Sequence, residues 1–444
     1  MIDCKNCDKS YDQKEFSFCP YCGHVPEEDD EYGKEIPGRG KTESVRLTKT
    51  GKEKTADNKS KYVITGVAVV VLVVAAISAI FALGNSDITV PDKYPTIQEA
   101  IDAAEEGEEI VIDVGIYREN IDFRGKNIIL TSTDPDDPAV VDGTIIDGGD
   151  SGAVVSFRSG EGEGAVLRGL TITRGSGLLI SGGSSPLIEK NNIEDNEAEV
   201  GAGIAIFDSS PTIVENTIVG NSGFWGGGIY LEESSPIIEG NIIRRNRADY
   251  GSGVVIYSNS SPSLINNTIS ENTAEHLGGG LAVAGNSTPS IEENTISDNT
   301  ATRGGGIYVE DSEPLVGDNI ITGNRAANGG GLFLVNSMSA ALQITGNDIR
   351  DNFASIAGGG LYMEGSSPTI EDNNIIDNLS DNLGGGAAVY NSEPVLIRNA
   401  FENNQAAADE GGGAIWLSAD SELELEDPDE NLYTNNEPDD IFEE

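Results

Sequence analysis

From residue 184 onward the chain repeats one phrase nine times, close to S-S-P-x-I-x-x-N-x-I-x-x-N-x-A-x-x-G-G-G-I-Y, at a step of 25 to 28 residues. Its first Asn falls at Asn191, Asn216, Asn241, Asn267, Asn294, Asn319, Asn347, Asn373 and Asn399. A partner Asn follows five residues later, from Asn196 through Asn404, and each copy then reaches a small-residue triplet, from Gly201-Ala202-Gly203 to Gly411-Gly412-Gly413. A fixed period of this kind narrows the fold sharply. Each unit can bury its apolar face only against the copies above and below it.

Every unit holds three short apolar runs: after the Pro, around the Ile between the two Asn (Phe401 in the last copy), and after the glycines. All are too short for an ordinary helix and alternate with period two. Three strands divided by turn residues make one triangular coil, and coils stack in parallel register at about 4.8 Å. Ile over Ile builds the core. Asn over Asn forms an amide ladder inside a turn. Gly supplies a positive φ at a corner, and Pro sits at a strand entrance where its missing N–H costs little. A leucine-rich repeat would need several Leu per unit, and a calcium-binding β-roll would need G-G-x-G-x-D every nine residues. Neither pattern is present. The predicted fold is all-β, a right-handed parallel β-helix.

The sequence divides into an N-terminal module at 1–26, a charged linker at 27–61, an apolar segment at 62–84, the β-helix cap and first coils at 85–183, nine repeat coils at 184–420, and an acidic C-terminal cap or tail at 421–444. In the first module, "CKNCDKSYDQKEFSFCPYCGH" places Cys4 and Cys7 in one C-x-x-C and Cys19 and Cys22 in a second. Two such knuckles bring four thiolates to a tetrahedron that suits Zn²⁺, and metal binding would supply most of the folding energy of so short a segment. A closed four-thiolate shell leaves no position for catalysis. His24 is not needed as a ligand. The stretch resembles the small N-terminal zinc ribbons of many prokaryotic membrane proteins.

Residues 63–83 are 21 uncharged, mostly apolar positions. As a helix they span about 32 Å, enough for a hydrocarbon core of about 30 Å. A single transmembrane helix is expected. The preceding residues 34–61 carry nine Lys/Arg against four Asp/Glu, which places them in the cytoplasm and the β-helix outside. Thr96 is a plausible N-cap for a short cap helix in which Ile97, Ala100, Ile101 and Ala104 share a face, ending before Gly107.

Charge bears on partners. Residues 84–444 hold 15 Lys/Arg against 62 Asp/Glu, nearly all of the chain's −48. Such a field repels nucleic acid and attracts divalent cations.

The opening "YPTIQEAIDAAEEGEEIVIDVGIYREN" resembles the N-terminal cap and first coil of the pectate-lyase-like β-helix superfamily, and the start of pectin methylesterases and NosD-type proteins. The nine units resemble the parallel β-helix repeats of bacterial and archaeal surface proteins. The resemblance implies a fold rather than a reaction, because that superfamily spans lyases, hydrolases, esterases, epimerases and adhesins. The G-H-G and R-I-K motifs of the polygalacturonase-like members are absent, and the only histidine outside the ribbon is His276. No catalytic residue carries over.

Function in a solenoid should show where one column departs from the repeat. Just before the triplets, Trp225, Tyr250, His276 and Arg303 fall on successive coils, with Phe224 and Asp249 beside them. Flat rings suit sugar faces, and His and Arg suit hydroxyls or carboxylates. The same side chains could be turn residues that cover the coil below. After the third strand, Asp208, Glu232, Glu233, Glu310 and Asp311 form a second column, which reads either as a Ca²⁺ site or as a solvated acidic face. The expectation is a single-pass, membrane-anchored cell-surface protein with a structural or binding role towards extracellular glycans, envelope partners or surface proteins. The alternative is a membrane-tethered polysaccharide lyase or glycoside hydrolase.

Overall fold

The protein is described by a computed structural model covering residues 2–3, 10–11 and 88–443, apart from 340, 409–410 and 426–430. The chain forms two compact units, 1–82 and 83–444. In the first, Ile2–Asp3 pairs antiparallel with Ser10–Tyr11. The four cysteines and the apolar segment 62–84 lie outside the described residues. Among the described residues no helix is long and apolar enough to cross a membrane.

The second unit is a parallel β-solenoid of about 13 turns, built on one 14-stranded and two 13-stranded sheets. The helix Ile97–Ala103 forms as the periodicity predicts. The Thr96 hydroxyl caps it by accepting the Glu99 N–H at 3.2 Å, and Ile97, Ala100 and Ile101 face the core. A second short helix, Pro138–Gly143, was not apparent from the periodicity.

In each repeat the strand after Pro joins the first sheet, the strand around the central Ile the second, and the strand after the glycines the third. The column Ile193, Ile218, Ile243, Ile269, Ile296, Ile321, Ile349, Ile375 and Phe401 is buried along the axis. Identical residues stack in register, as expected.

The turns carry the polar half of the stack. Asn216 Nδ2 donates to Asn241 Oδ1 at 3.0 Å and to the Ile188 carbonyl at 2.9 Å. Asn241 Oδ1 also accepts the Asn216 backbone N–H at 2.9 Å. The pattern repeats in both Asn columns and runs one coil beyond the nine repeats, to Asn431 and Asn436. The segment after residue 420 is thus a further coil: Glu424–Leu425, Leu432–Thr434 and Ile441–Glu443 each pair with the strand below. A third ladder, unread in the S-S-P motif, runs through serine. The Ser184 N–H donates to Ser209 Oγ, Ser209 N–H to Ser234 Oγ, and so on to Ser421.

Two expectations are corrected. Coils are not all three-stranded: the segment between the second Asn and the glycines forms a fourth strand, as in Glu197–Val200, Ser222–Trp225, Arg247–Tyr250 and Thr273–Leu277. A second such sheet runs from Arg325–Asn328 to Gln405–Ala406. These residues alternate too irregularly in hydrophobicity to be read as strands; parallel hydrogen bonding to the coil below defines them. The last triplet is also displaced by one residue, since Ala387 pairs with Ile415, which puts Ala414 in the third glycine's place.

Candidate functional site

The variable column lies on the fourth strands, and side chains on a strand alternate between its two faces. Trp225 and Tyr250 point one way, toward the outer face of the third sheet. There Trp225 joins an apolar cluster of Tyr230, Val255 and Ala282, with Val200, Phe207 and Tyr257 around it. The Trp225 and Tyr250 rings stack with centroids 4.3 Å apart and planes 18° apart. Phe224 meets both edge-on, at 5.8 and 5.5 Å.

His276 does not continue the column in register. A bulge between Ala248 and Tyr250 pairs Tyr250 with Leu277, and Leu277 in turn bridges to Arg303. The extra residue places the His276 ring 5.0 Å from Tyr250, tilted by 41°. Arg303 leaves the group altogether. Its guanidinium sits 5.7 Å over the Phe333 ring, in a separate stack that runs Tyr308, Phe333, Tyr362, Tyr390, Trp416 up the same sheet. The expected four-residue stripe is therefore two clusters. Trp225 packs against the third sheet in the first, and Tyr308, Phe333 and Tyr362 do so in the second.

A test follows from that packing. Trp225→Ala removes a half-buried ring that faces Tyr250 and Tyr230, and it should cost about 2 kcal/mol of stability. Chemical unfolding measures this, and an unchanged midpoint would restore the ring to a purely ligand-facing role.

A cavity of about 670 Å³ is lined by Asp150, Arg174, Glu197, Glu199, Phe224 and Asp249, among others. Arg174 is held by Asp150 at 2.8 Å and Asp147 at 3.1 Å, and its hydrogen bond and charge hold the Asp150 carboxyl below its usual range. Burial, with Glu275 nearby, raises the Asp249 carboxyl, and His276 opposes that shift. The site thus offers one aromatic ring and several carboxylates to a polyol. Of its members only Phe224 and Asp249 stood out in the sequence, because Arg174 and Asp150 precede the first repeat and Glu197 and Glu199 read as ordinary acids.

Phe207 pairs with Glu232, so Asp208 and Glu233 are neighbours. Glu310 and Asp311 stand three coils further on, beyond the coils of Tyr257 and Val283. Among the described residues no three His, Cys, Asp or Glu side chains gather where a metal ion could be held. Glu232 and Glu310 are instead bound up with phenols. The Tyr230 hydroxyl donates to Glu232 at 3.2 Å, and Tyr308 bonds Glu310 in the same Tyr-x-Glu arrangement. Burial pushes the Glu310 carboxyl up despite that bond. The arrangement recurs at Tyr362 and Glu364, and its signal in the sequence is the triple I-Y-L-E, I-Y-V-E, L-Y-M-E.

No curated protein matches the chain. Among solved structures it is similar to the A-module of a mannuronan C-5 epimerase from Azotobacter vinelandii, with 16% identity, 78% of this chain and 94% of that one covered, and a TM-score of 0.41. It is also similar to the catalytic unit of a thermostable GH87 α-1,3-glucanase from Streptomyces thermodiastaticus, with 14% identity, 81% and 69% covered, and a TM-score of 0.31. The family described as "Right handed beta helix region" matches residues 127–295, 250–349 and 279–437. With that match spanning most of the solenoid, the chain belongs to the right-handed β-helix family.

Proposed function

We propose that this is a membrane-anchored cell-surface protein whose solenoid binds neutral glycan through the cavity beside Phe224. The supporting observation is the combination of that ring, braced edge-on by Trp225 and Tyr250, with a polar wall that includes Arg174, Glu197, Glu199 and Asp249. An apolar sugar face packs on an aromatic ring, and carboxylates accept hydrogen bonds from hydroxyls. Uronate polymers are disfavoured by the negative field around the site.

The anchor is residues 63–83, with the basic linker in the cytoplasm. Cys4, Cys7, Cys19 and Cys22 hold a structural Zn²⁺ there, and the antiparallel pair Ile2–Asp3 and Ser10–Tyr11 flanks the first C-x-x-C in sequence.

The test is titration of the solenoid with neutral, amino and uronic oligosaccharides. Neutral ligands should bind, and Phe224→Ala should weaken them roughly tenfold. Binding that survives this substitution unchanged would remove the cavity from the account. The raised Asp249 carboxyl favours a second reading, a hydrolase with Asp249 as general acid. Product released over hours in the same titrations, and lost in Asp249→Asn, would decide for it.

A further inference from the structure

Five Asn-x-Ser/Thr sequences occur in the chain, at Asn58, Asn259, Asn266, Asn286 and Asn378. The fold sorts them. Asn378 belongs to the buried ladder: its Nδ2 donates to the Ile349 carbonyl at 2.8 Å and to Asn404 Oδ1 at 3.0 Å. No transferase can reach it. Asn58 lies in the basic linker, outside the described residues. The other three are exposed and stand at turn positions with φ of 56°, 54° and 59°.

Asn286 has more than exposure. Its side-chain amide makes no hydrogen bond among the described residues, while its backbone N–H is fixed to the Asp311 carbonyl at 2.9 Å. The residue two positions on, Thr288, presents an exposed hydroxyl, shared with Ser261 at 2.7 Å. Beside Asn286 opens a second cavity of about 460 Å³, whose walls include Asp311, Glu313, Asn336, Ser337 and Met338. These are hydrogen-bonding groups with one apolar side chain, and Met338 is 70% exposed.

We propose that Asn286 is an acceptor for N-linked glycosylation and that the adjoining cavity seats the first sugars. An Asn-x-Ser/Thr sequence is an acceptor only on an exposed loop of an exported chain. The inference therefore rests on the reading that the solenoid faces the outside of the cell. The co-reactant is a lipid-linked sugar phosphate supplied by a host transferase. The Asn286 amide nitrogen bonds to the anomeric carbon, the bond from that carbon to the phosphate oxygen breaks, the lipid phosphate leaves with the electron pair, and the amide loses one proton.

The experiment uses the full chain purified from its native membranes. Peptide mass spectrometry should find a glycan on Asn286, none on Asn378 or Asn58, and no added mass at this peptide in Asn286→Gln. In parallel, intact cells are treated with a membrane-impermeant amine reagent, read at exposed Lys93 and at the linker lysines. If Lys93 is labelled and the Asn286 peptide is bare, glycosylation is refuted while the orientation stands. If Lys93 is protected and the linker is labelled, the orientation itself fails, and the proposal with it.

Discussion

Replacing Asn294 by alanine is expected to cost about 4 kcal/mol and to split the unfolding of the solenoid into two steps. The amide sits mid-stack and makes five hydrogen-bond contacts, its two Nδ2 protons shared among three acceptors. Its Oδ1 accepts the backbone N–H and the Nδ2 of Asn267, both at 2.9 Å. Its Nδ2 donates to the carbonyls of Leu264 and Glu292 at 2.9 Å and to Asn319 Oδ1 at 3.1 Å. Alanine keeps none of these. The Asn267 N–H and the Leu264 carbonyl are buried, so water does not replace the lost partner, and each orphaned group costs roughly 1–3 kcal/mol. Asn267 Nδ2 still reaches the Ile238 carbonyl at 2.8 Å, so the total stays below a simple sum.

The two-step behaviour follows from the architecture. A solenoid is stabilised by nearest-neighbour interfaces, and weakening one in the middle lets the halves unfold separately. Urea titration followed by circular dichroism reads both effects. The same substitution at Asn436, buried on the last rung with no further rung above it, should cost less, about 2 kcal/mol, and leave a single transition. Equal losses at the two positions would mean that the ladders do not couple the coils.

Asn294→Asp adds a pH signature whose sign is fixed. The protonated acid can donate in place of Nδ2, whereas the carboxylate faces carbonyl oxygens with no proton to share. Its pKa in the folded state is therefore raised above the unfolded value of about 4. Stability is greatest below that value and falls as pH rises through the folded pKa. Wild type lacks this dependence at the site.

How much of this was legible before any coordinates depends on which interactions repeat. The Asn columns, the Ile column and the Thr96 cap declare themselves, because a stacked coil turns every contact into a sequence period. The Ser ladder was equally periodic but passed unread, since S-S-P reads first as a turn. The fourth strands were hidden for a physical reason. Their pairing is through backbone, and their side chains vary from Glu197 to Trp225 to Arg247. The single residue inserted near His276 was legible but missed: Gly278 lies six positions after Asn272, whereas Gly251 lies five after Asn246, which puts Leu277 rather than His276 level with Tyr250. That one shift, together with the turn of Arg303 onto Phe333, divides what looked like a four-residue stripe. The cavity beside Phe224 draws Arg174 and Asp150 from coils before the repeats begin, where no column could point to them.

The second large effect is expected at Gly306, where alanine should destabilise the solenoid by about 3 kcal/mol or more. This is the third glycine of its triplet, a place held by glycine in eight successive coils from Gly203 to Gly386. The middle place, by contrast, accepts Ala202 and Ser252. Positive φ does not explain the difference, for Gly306 is not in the left-handed region. Close approach does. A Cβ on Gly306 would lie 2.6 Å from the carbonyl oxygen of Gly331 in the next coil, and 3.1 Å from Asn324 Nδ2. The first neighbour is backbone, held by its own stacking bonds, and the second is a rung of the Asn ladder. Neither can give way without opening the coil-to-coil spacing of about 4.8 Å that every other strand on that level keeps. Where the stack nears its end and another chain path lies above, the constraint relaxes, and Ala414 occupies the equivalent place. Gly183→Ala is the matched control. Its φ is 75°, but a Cβ there meets nothing within 4 Å, so only the conformational penalty of about 1 kcal/mol applies. Thermal melts of the two variants should differ by several degrees, with Gly306→Ala the lower. If Gly183→Ala fell as far as Gly306→Ala, backbone conformation rather than coil spacing would be what the repeated glycines protect.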